Sequence, residues 1–265
     1  MARQDFSQTP GETTGLQPQV EPQRHVRCVP GDVAPHVLLP GDPGRAQRIA
    51  AGLPEARLVA QNREFVVYTG RTRAGTPVSV CSTGIGGPSA SIALEELARV
   101  GGTCFIRVGS AGGRQPGVAL GSLVIATAAY RADGTSRAYV PPEFPAVADL
   151  GITLALARAA RRLGYAFHHG IVFSRDAFYR QDPGLNRQLT EAGVVASEQE
   201  CATLFVVGAV RGVRVGAILA TDSNILLERQ PPAAERERLF RQAEAQMIDV
   251  ALAAVDDLAQ GSEPW

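Results

Sequence analysis

His36-Val37-Leu38-Leu39-Pro40-Gly41-Asp42-Pro43-Gly44-Arg45 passes from a short apolar run into a turn marked by two prolines and two glycines. A helical stretch, Arg45 to Ala51, follows. A strand that feeds a glycine turn and then a helix is the repeating unit of an α/β sheet. After this first strand, Val37 to Leu39, the same alternation continues along the chain. Further candidate strands are Phe65 to Thr69, Val78 to Ser82, Cys104 to Val108, Gly121 to Thr127, His169 to Phe173, Val194 to Ala196 and Val213 to Ala220. The remaining candidate helices are Ser89 to Val100, Ile152 to Leu163, Leu185 to Glu191, Gln199 to Arg211 and Ala233 to Ala259. Near-continuous apolar strands separated by helices predict a mixed, largely parallel twisted sheet with helices on both faces. No fixed-period repeat or linker interrupts residues 25–260, so one α/β domain is expected. A polar stretch over 1–24 reads as a disordered tail, because it has too few apolar side chains to offset ordering, and 261–265 reads as a second short tail.

Composition narrows the chemistry. Twenty-six basic residues balance 26 acidic ones, which argues against a polyanionic partner such as nucleic acid and against adsorption to a charged membrane. Every basic residue is arginine. Lysine Schiff-base chemistry and a Walker-type phosphate loop are therefore excluded, whereas planar bidentate recognition of an anion is not. Cys28, Cys81, Cys104 and Cys201 are scattered, with no C-x-x-C pair, and read as buried thiols of a reducing cytoplasm rather than a metal site. No apolar run approaches the roughly 18 residues that span a bilayer, and the N-terminus carries no signal-peptide pattern, so a cytoplasmic protein is expected.

In a sheet of this kind ligands sit beyond the carboxyl ends of strands, where glycines let backbone amides approach an anion. Three stretches fit: Pro40 to Arg45, Ser82 to Ser89 and Arg107 to Gly113. Alone each is only a turn. Two of them also carry an arginine, Arg45 and Arg107, and such a pair suits a phosphate clamp. No G-x-G-x-x-G with an acidic residue about 20 positions on marks a dinucleotide site.

Ordered motifs then reveal a resemblance. They are Leu39 to Arg45, Arg63-Glu64-Phe65, Ser82 to Ser89, Glu95-Glu96-Leu97, Arg107-Val108-Gly109-Ser110, Arg131 to Ser136, Glu143 to Asp149 and Ser174 to Tyr179. From about His25 to Leu258 the chain resembles the nucleoside phosphorylases of the trimeric or hexameric purine nucleoside and uridine phosphorylase type. The resemblance implies phosphorolysis of nucleosides to free base and pentose 1-phosphate, with inorganic phosphate as co-substrate and neither metal nor organic cofactor. It implies a homo-oligomer whose sites are shared between subunits. It places phosphate at Gly41, Arg45, Arg107 and Ser110, with Arg63 supplied by a neighbouring subunit.

The resemblance also places ribose at a glutamate triplet, here Glu198-Gln199-Glu200, with Glu200 bridging the sugar hydroxyls and Gln199 replacing the family methionine. His25 matches a histidine that reaches a neighbour's 5′-hydroxyl. Glu64 matches a residue that binds a monovalent cation between subunits in the uridine enzymes. Without the resemblance, Glu198 and Glu200 would read as carboxylates complementing a helix dipole, Arg63 as a surface charge and His25 as part of the tail.

Signals for the base conflict. Tyr130 to Asp149 reads like uridine phosphorylase, yet the Gln-x-Arg pair that reads uracil in that family is not visible after Phe178-Tyr179. Asp222, at the end of the last strand, matches the aspartate with which purine enzymes assist the leaving base; read alone, it could equally cap a helix. Arg236, near the spacing of that aspartate's helper, is displaced by one position. These residues point to purine nucleosides first, with Phe178 and Asp222 at the base and Asp222, Arg107 and Glu200 in catalysis. Uridine phosphorylase is the alternative. A hydrolytic nucleosidase of the same fold and a nucleoside-binding homologue without turnover are further ones.

Overall fold

The computed structural model describes residues 21–261. Of the two expected tails, residues 1–20 and 262–265 lie outside the described residues. Residues 21–24 are described, and Gln23 is buried, with its backbone N–H donating to the Cys28 carbonyl.

In chain order the elements are β1 (His36–Leu39), α1 (Pro43–Ala51), β2 (Arg57–Asn62), β3 (Phe65–Arg71), β4 (Pro77–Cys81), α2 (Gly87–Arg99), β5 (Cys104–Gly113), β6 (Leu123–Ala132), α3 (Gly134–Tyr139), β7 (Ala146–Val147), α4 (Leu150–Arg162), β8 (Phe167–Arg175), α5 (Pro183–Glu191), β9 (Ala196–Glu198), α6 (Cys201–Arg211), β10 (Arg214–Asn224) and α7 (Ala233–Ala259). Aspartates set several helix starts. Asp42, Asp133, Asp149 and Asp182 each cap a first turn by accepting backbone N–H bonds, and proline follows at the first helical position of α1 and α5.

The centre of the sheet is parallel: β1 lies between β4 and β5, and β5 lies beside β10. Antiparallel ladders join β2 to β3, β3 to β4, β6 to β10 and β9 to β5. Because β5, β10, β6, β8 and β9 pair in succession and β9 returns to β5, these five strands close into a ring. From β5 the strands β1, β4, β3 and β2 extend as an open wing. Closure, which periodicity does not encode, is what the sequence reading lacked.

Alternation along the strands sorts the core into two layers. Val37, Leu39, Phe105, Val215, Ala217 and Leu219 face α2 and α6. Leu38, Ile106, Val108, Ile218 and Ala220 face α1, α4 and α7. Helices therefore cover both faces, as expected. The four cysteines are buried and no disulfide joins them; burial pushes the Cys28 thiol up to about 12 and those of Cys81 and Cys201 well above the usual range. No helix among the described residues is long and apolar enough to cross a membrane.

Three expectations change. The stretch Gly109 to Gly113 is strand, not turn: its glycines are there because side chains do not fit, a Cβ at Gly109 lying 2.9 Å from the Arg107 Nε and one at Gly113 lying 2.7 Å from the Val118 carbonyl oxygen. Helix α6 begins at Cys201, so Gln199 and Glu200 precede it. β2, β7 and α3 were missed, β2 being a polar edge strand and the others too short for a period to register.

Candidate active site

The ends of β1 and β4 lie back to back. Thr83 N–H donates to the Pro40 carbonyl at 2.9 Å and Gly84 N–H to the Gly41 carbonyl at 3.0 Å. A Cβ at Gly41 would stand 3.1 Å from the Gly84 oxygen and 3.2 Å from the Arg107 Nη1, so glycine lets the Arg107 guanidinium lie against the backbone. Arg107, only 3% exposed, donates from Nη1 to the Leu39 carbonyl at 3.2 Å and from Nη2 to the Glu200 Oε2 at 2.5 Å. Its buried Nε has no partner. Ser110, three residues along β5, is half-buried beside Ala220 of β10.

Arg45 joins this cluster from α1. Its Nη1 donates to the Val108 carbonyl at 3.1 Å, and its Nε donates to the Glu244 Oε1 on α7 at 2.5 Å. Burial lowers its pKa and the charge of Arg107 adds to that, while Glu244 opposes both. Glu244 itself is 3% exposed and also accepts from Arg48 and Arg241. Burial alone would push its carboxyl up; the bonds from Arg48, Arg45 and Arg241 outweigh burial and hold it at about 2. One carboxylate thus ties three guanidiniums together beside the expected anion site.

The glutamate triplet divides its labour. Glu198 faces inward: its Oε2 accepts the N–H groups of Glu200 and Cys201, both at 2.7 Å, and its Oε1 accepts the Ser174 hydroxyl. Burial, and then the charge of Glu200, raise its pKa. Glu198 is therefore a buried brace for the start of α6. Glu200 is held by both oxygens, Oε1 from Gly86 N–H at 2.7 Å and Oε2 from Arg107. Gln199 donates from Nε2 to the Asp176 carbonyl at 2.9 Å, tying the triplet to the loop that carries Phe178. The amide that replaces methionine thus has a positioning contact.

Other expected residues lie further out. Phe178 is 61% exposed, edge-on to Tyr179 at 5.1 Å between ring centroids. Asp222 is exposed where the β10 to β5 register shifts, and its Oδ1 accepts from the Ser223 hydroxyl. Arg236, in the first turn of α7, makes no hydrogen bond to Asp222, and its buried Nε has no partner. Arg63 occupies the two-residue turn between β2 and β3, exposed, at a φ of 54°. Glu64 accepts from the Ser89 hydroxyl. His25 is pinned by Glu96, which accepts from its ring Nδ1 at 2.6 Å and its backbone N–H at 2.9 Å. Neither Arg63 nor His25 bonds to Arg45, Arg107, Ser110 or Glu200. The structure thus gathers Gly41, Arg45, Arg107, Glu198 and Glu200, places Ser110 further along the Arg107 strand, and sets Arg63 and His25 apart. Glu244 escaped the sequence reading, and Ser174 and Gly86, though within quoted motifs, were given no role: each acts through a contact 24 to 199 residues away in the chain, which no local pattern signals.

A family profile described as the phosphorylase superfamily matches residues 35–256. The chain belongs to this superfamily. Among curated relatives, a uridine phosphorylase of Thermococcus kodakarensis is 46% identical over 246 residues, covering 87% of this chain and 88% of its own. A guanosine phosphorylase of Halorubrum lacusprofundi is 39% identical, covering 83% and 91%. A solved uridine phosphorylase from Vibrio fischeri superposes with a TM-score of 0.83 at 33% identity, over 89% of this chain and 98% of that one. The protein is a nucleoside phosphorylase, hence a pentosyltransferase. Such enzymes act on a nucleoside and phosphate. The purine preference expected from Asp222 gains no support from these relatives, among which uridine phosphorylases predominate.

Proposed function

We propose that this phosphorylase acts on uridine, releasing uracil and ribose 1-phosphate. The observation that carries the base assignment is the likeness to uridine phosphorylases at 46% and 45% identity, against one guanosine phosphorylase at 39%. In this reading phosphate sits at Gly41, Arg45, Arg107 and Ser110, and Glu200 takes the ribose hydroxyls. The contact between Arg107 and Glu200 supports it, because it brings nucleophile and sugar anchor within one bond of each other. Phosphate attacks C1′ as the glycosidic bond lengthens, and the positive charge that develops on the sugar lies beside the bound dianion and the Glu200 carboxylate. No cofactor enters these steps.

Arg63 and His25, exposed or part-exposed and apart from their own chain's clamp, complete the site of a neighbouring copy, so the active form is a homo-oligomer. The test is base release from a panel of nucleosides with and without phosphate. Uridine is expected to be fastest and fully phosphate-dependent. A purine nucleoside turned over faster would return the assignment to Asp222, and release of base without phosphate would make the protein a hydrolase.

A further inference from the structure

Arg114 directly follows β5 and is 1% exposed, yet none of its hydrogen-bond partners is acidic. Its Nη1 donates to the Ser197 hydroxyl at 2.9 Å, and its Nη2 to the carbonyl and side-chain oxygens of Asn186 at 3.0 and 3.1 Å. Its buried Nε has no acceptor. A guanidinium carries five N–H groups, so three bonds leave two donors unused. Arg131, also buried and without an acidic partner, shows what a structural arginine looks like here: it spends five bonds on Ser136, Val140, Pro141 and Phe144.

A second cation reinforces the first. Arg175 donates only to the carbonyls of Phe178 and Arg180, and both guanidiniums lie against the Phe173 ring, at 5.4 Å for Arg114 and 5.9 Å for Arg175. Burial, and then the charge of Arg175, lower the Arg114 pKa, which is the signature of a cation held without a counter-ion. The place matters as much as the charge. Arg114 lies between the strand that carries Arg107 and Ser110, the residue preceding the glutamate triplet, and α5, which follows the Phe178 loop. With ribose at Glu200 and phosphate at Arg107, a base carried past the triplet on its Ser197 side would meet the Arg114 guanidinium.

We propose that Arg114, seconded by Arg175, faces the base and stabilises uracil as an anion while it leaves, which makes it a specificity-determining residue. This rests on the uridine reading. A phosphate oxygen bonds to C1′, the bond from C1′ to N1 breaks, and its electron pair passes to the ring and spreads over O2 and O4. The proton that hydrogen phosphate brought ends on the base, so ribose 1-phosphate and neutral uracil depart. A fixed cation lowers the energy of the anionic leaving group. It works against a purine, whose departure is helped by protonation at N7.

The experiment compares uridine with 5-fluorouridine, whose base is the stronger acid and needs less help to leave, in the intact enzyme and in Arg114→Met. Loss of a charge-assisted donor is expected to cut kcat/KM for uridine by about 10 to 100-fold and that for 5-fluorouridine by clearly less, with KM for phosphate unchanged. Arg114→Lys, which keeps the charge, should show the same trend in weaker form and serves as the readout if the methionine variant does not fold. Equal losses on the two nucleosides would overturn the inference, because a misplaced helix or strand does not sense the acidity of the base. Failure of the unaltered enzyme to cleave uridine would instead remove the reading on which it rests.

Discussion

Around Arg107 the carboxylates are committed within the chain: its guanidinium reaches Leu39 and Glu200 with its Nε left over, Glu200 also holds Gly86, and Glu198 braces the backbone beneath them. At the turn between β2 and β3 the opposite holds. Arg63 stands exposed, makes no hydrogen bond, and sits at a φ of 54°, where a non-glycine residue costs energy. One region is a nearly finished network, half of the proposed site; the other is a strained projection whose side chain no other described residue holds by a hydrogen bond. The difference is the one expected if, as proposed above, one protomer carries the chemistry and presents, on its open wing, parts for another copy.

Breaking the finished half should cost most. Arg107→Ala removes the expected phosphate contact and leaves Glu200 buried without its cation, so kcat/KM is expected to fall about 10³-fold or more and stability by about 3 to 5 kcal/mol. Phosphate-dependent kinetics with a melting curve check both, and a variant of wild-type activity would remove Arg107 from the clamp. Arg63→Gly sharpens the contrast: the left-handed turn is relaxed, so the melting temperature should hold or rise, while KM for phosphate rises about 10-fold or more. Mixing this variant with Glu200→Ala should restore part of the activity, because some interfaces then hold one intact site. No recovery after exchange of subunits would count against shared sites.

Glu244 gives a smaller effect with a defined pH window. Its carboxyl is held at about 2 against an ordinary 4.5, so the folded state favours its charged form. The stability it contributes is present above pH 4.5 and is lost as pH falls toward 2. Glu244→Gln should therefore be less stable at neutral pH and show a flatter acid limb in denaturation, with a few-fold change in KM for phosphate as Arg45 loses its tether. The smallest effect belongs to Asp222→Asn, expected to alter uridine turnover by no more than about two- to three-fold, since a carboxylate does not help an anionic base to leave. A loss of 10²-fold would restore the purine argument.

How far the sequence reached follows from the same two regions. Strands β1, β3, β4, β5, β6, β8 and β10 and the six longer helices were legible because both faces of the sheet are covered and the apolar runs are unbroken. Gly41 and Arg45 stood out as clamp candidates because a turn after a strand concentrates glycine and charge, and Arg107 because it is a charge within an apolar strand. The closed ring was not, since β9 is three residues long and its return to β5 is a long-range pairing. Gln199 was read only as a replacement of the family methionine, whereas its amide makes a backbone contact that only the fold reveals. Arg114 was invisible because an arginine after two glycines has no meaning until Asn186 and Ser197 are brought to it.

β5 pairs with β1 along its first half, with β10 along its whole length and with β9 at its end. A segment with a neighbour on each side cannot fray singly, so amide protons of Ile106 and Arg107 should exchange with solvent only when the whole domain opens, while those of the β2 to β3 hairpin escape through small local openings. Arg107 is thus carried where β5 is gripped from both sides, with Ser110 three residues further along the same strand. A phosphate bound there, as proposed, would meet groups whose spacing the sheet sets, and adaptation would be left to the wing and to the Phe178 loop.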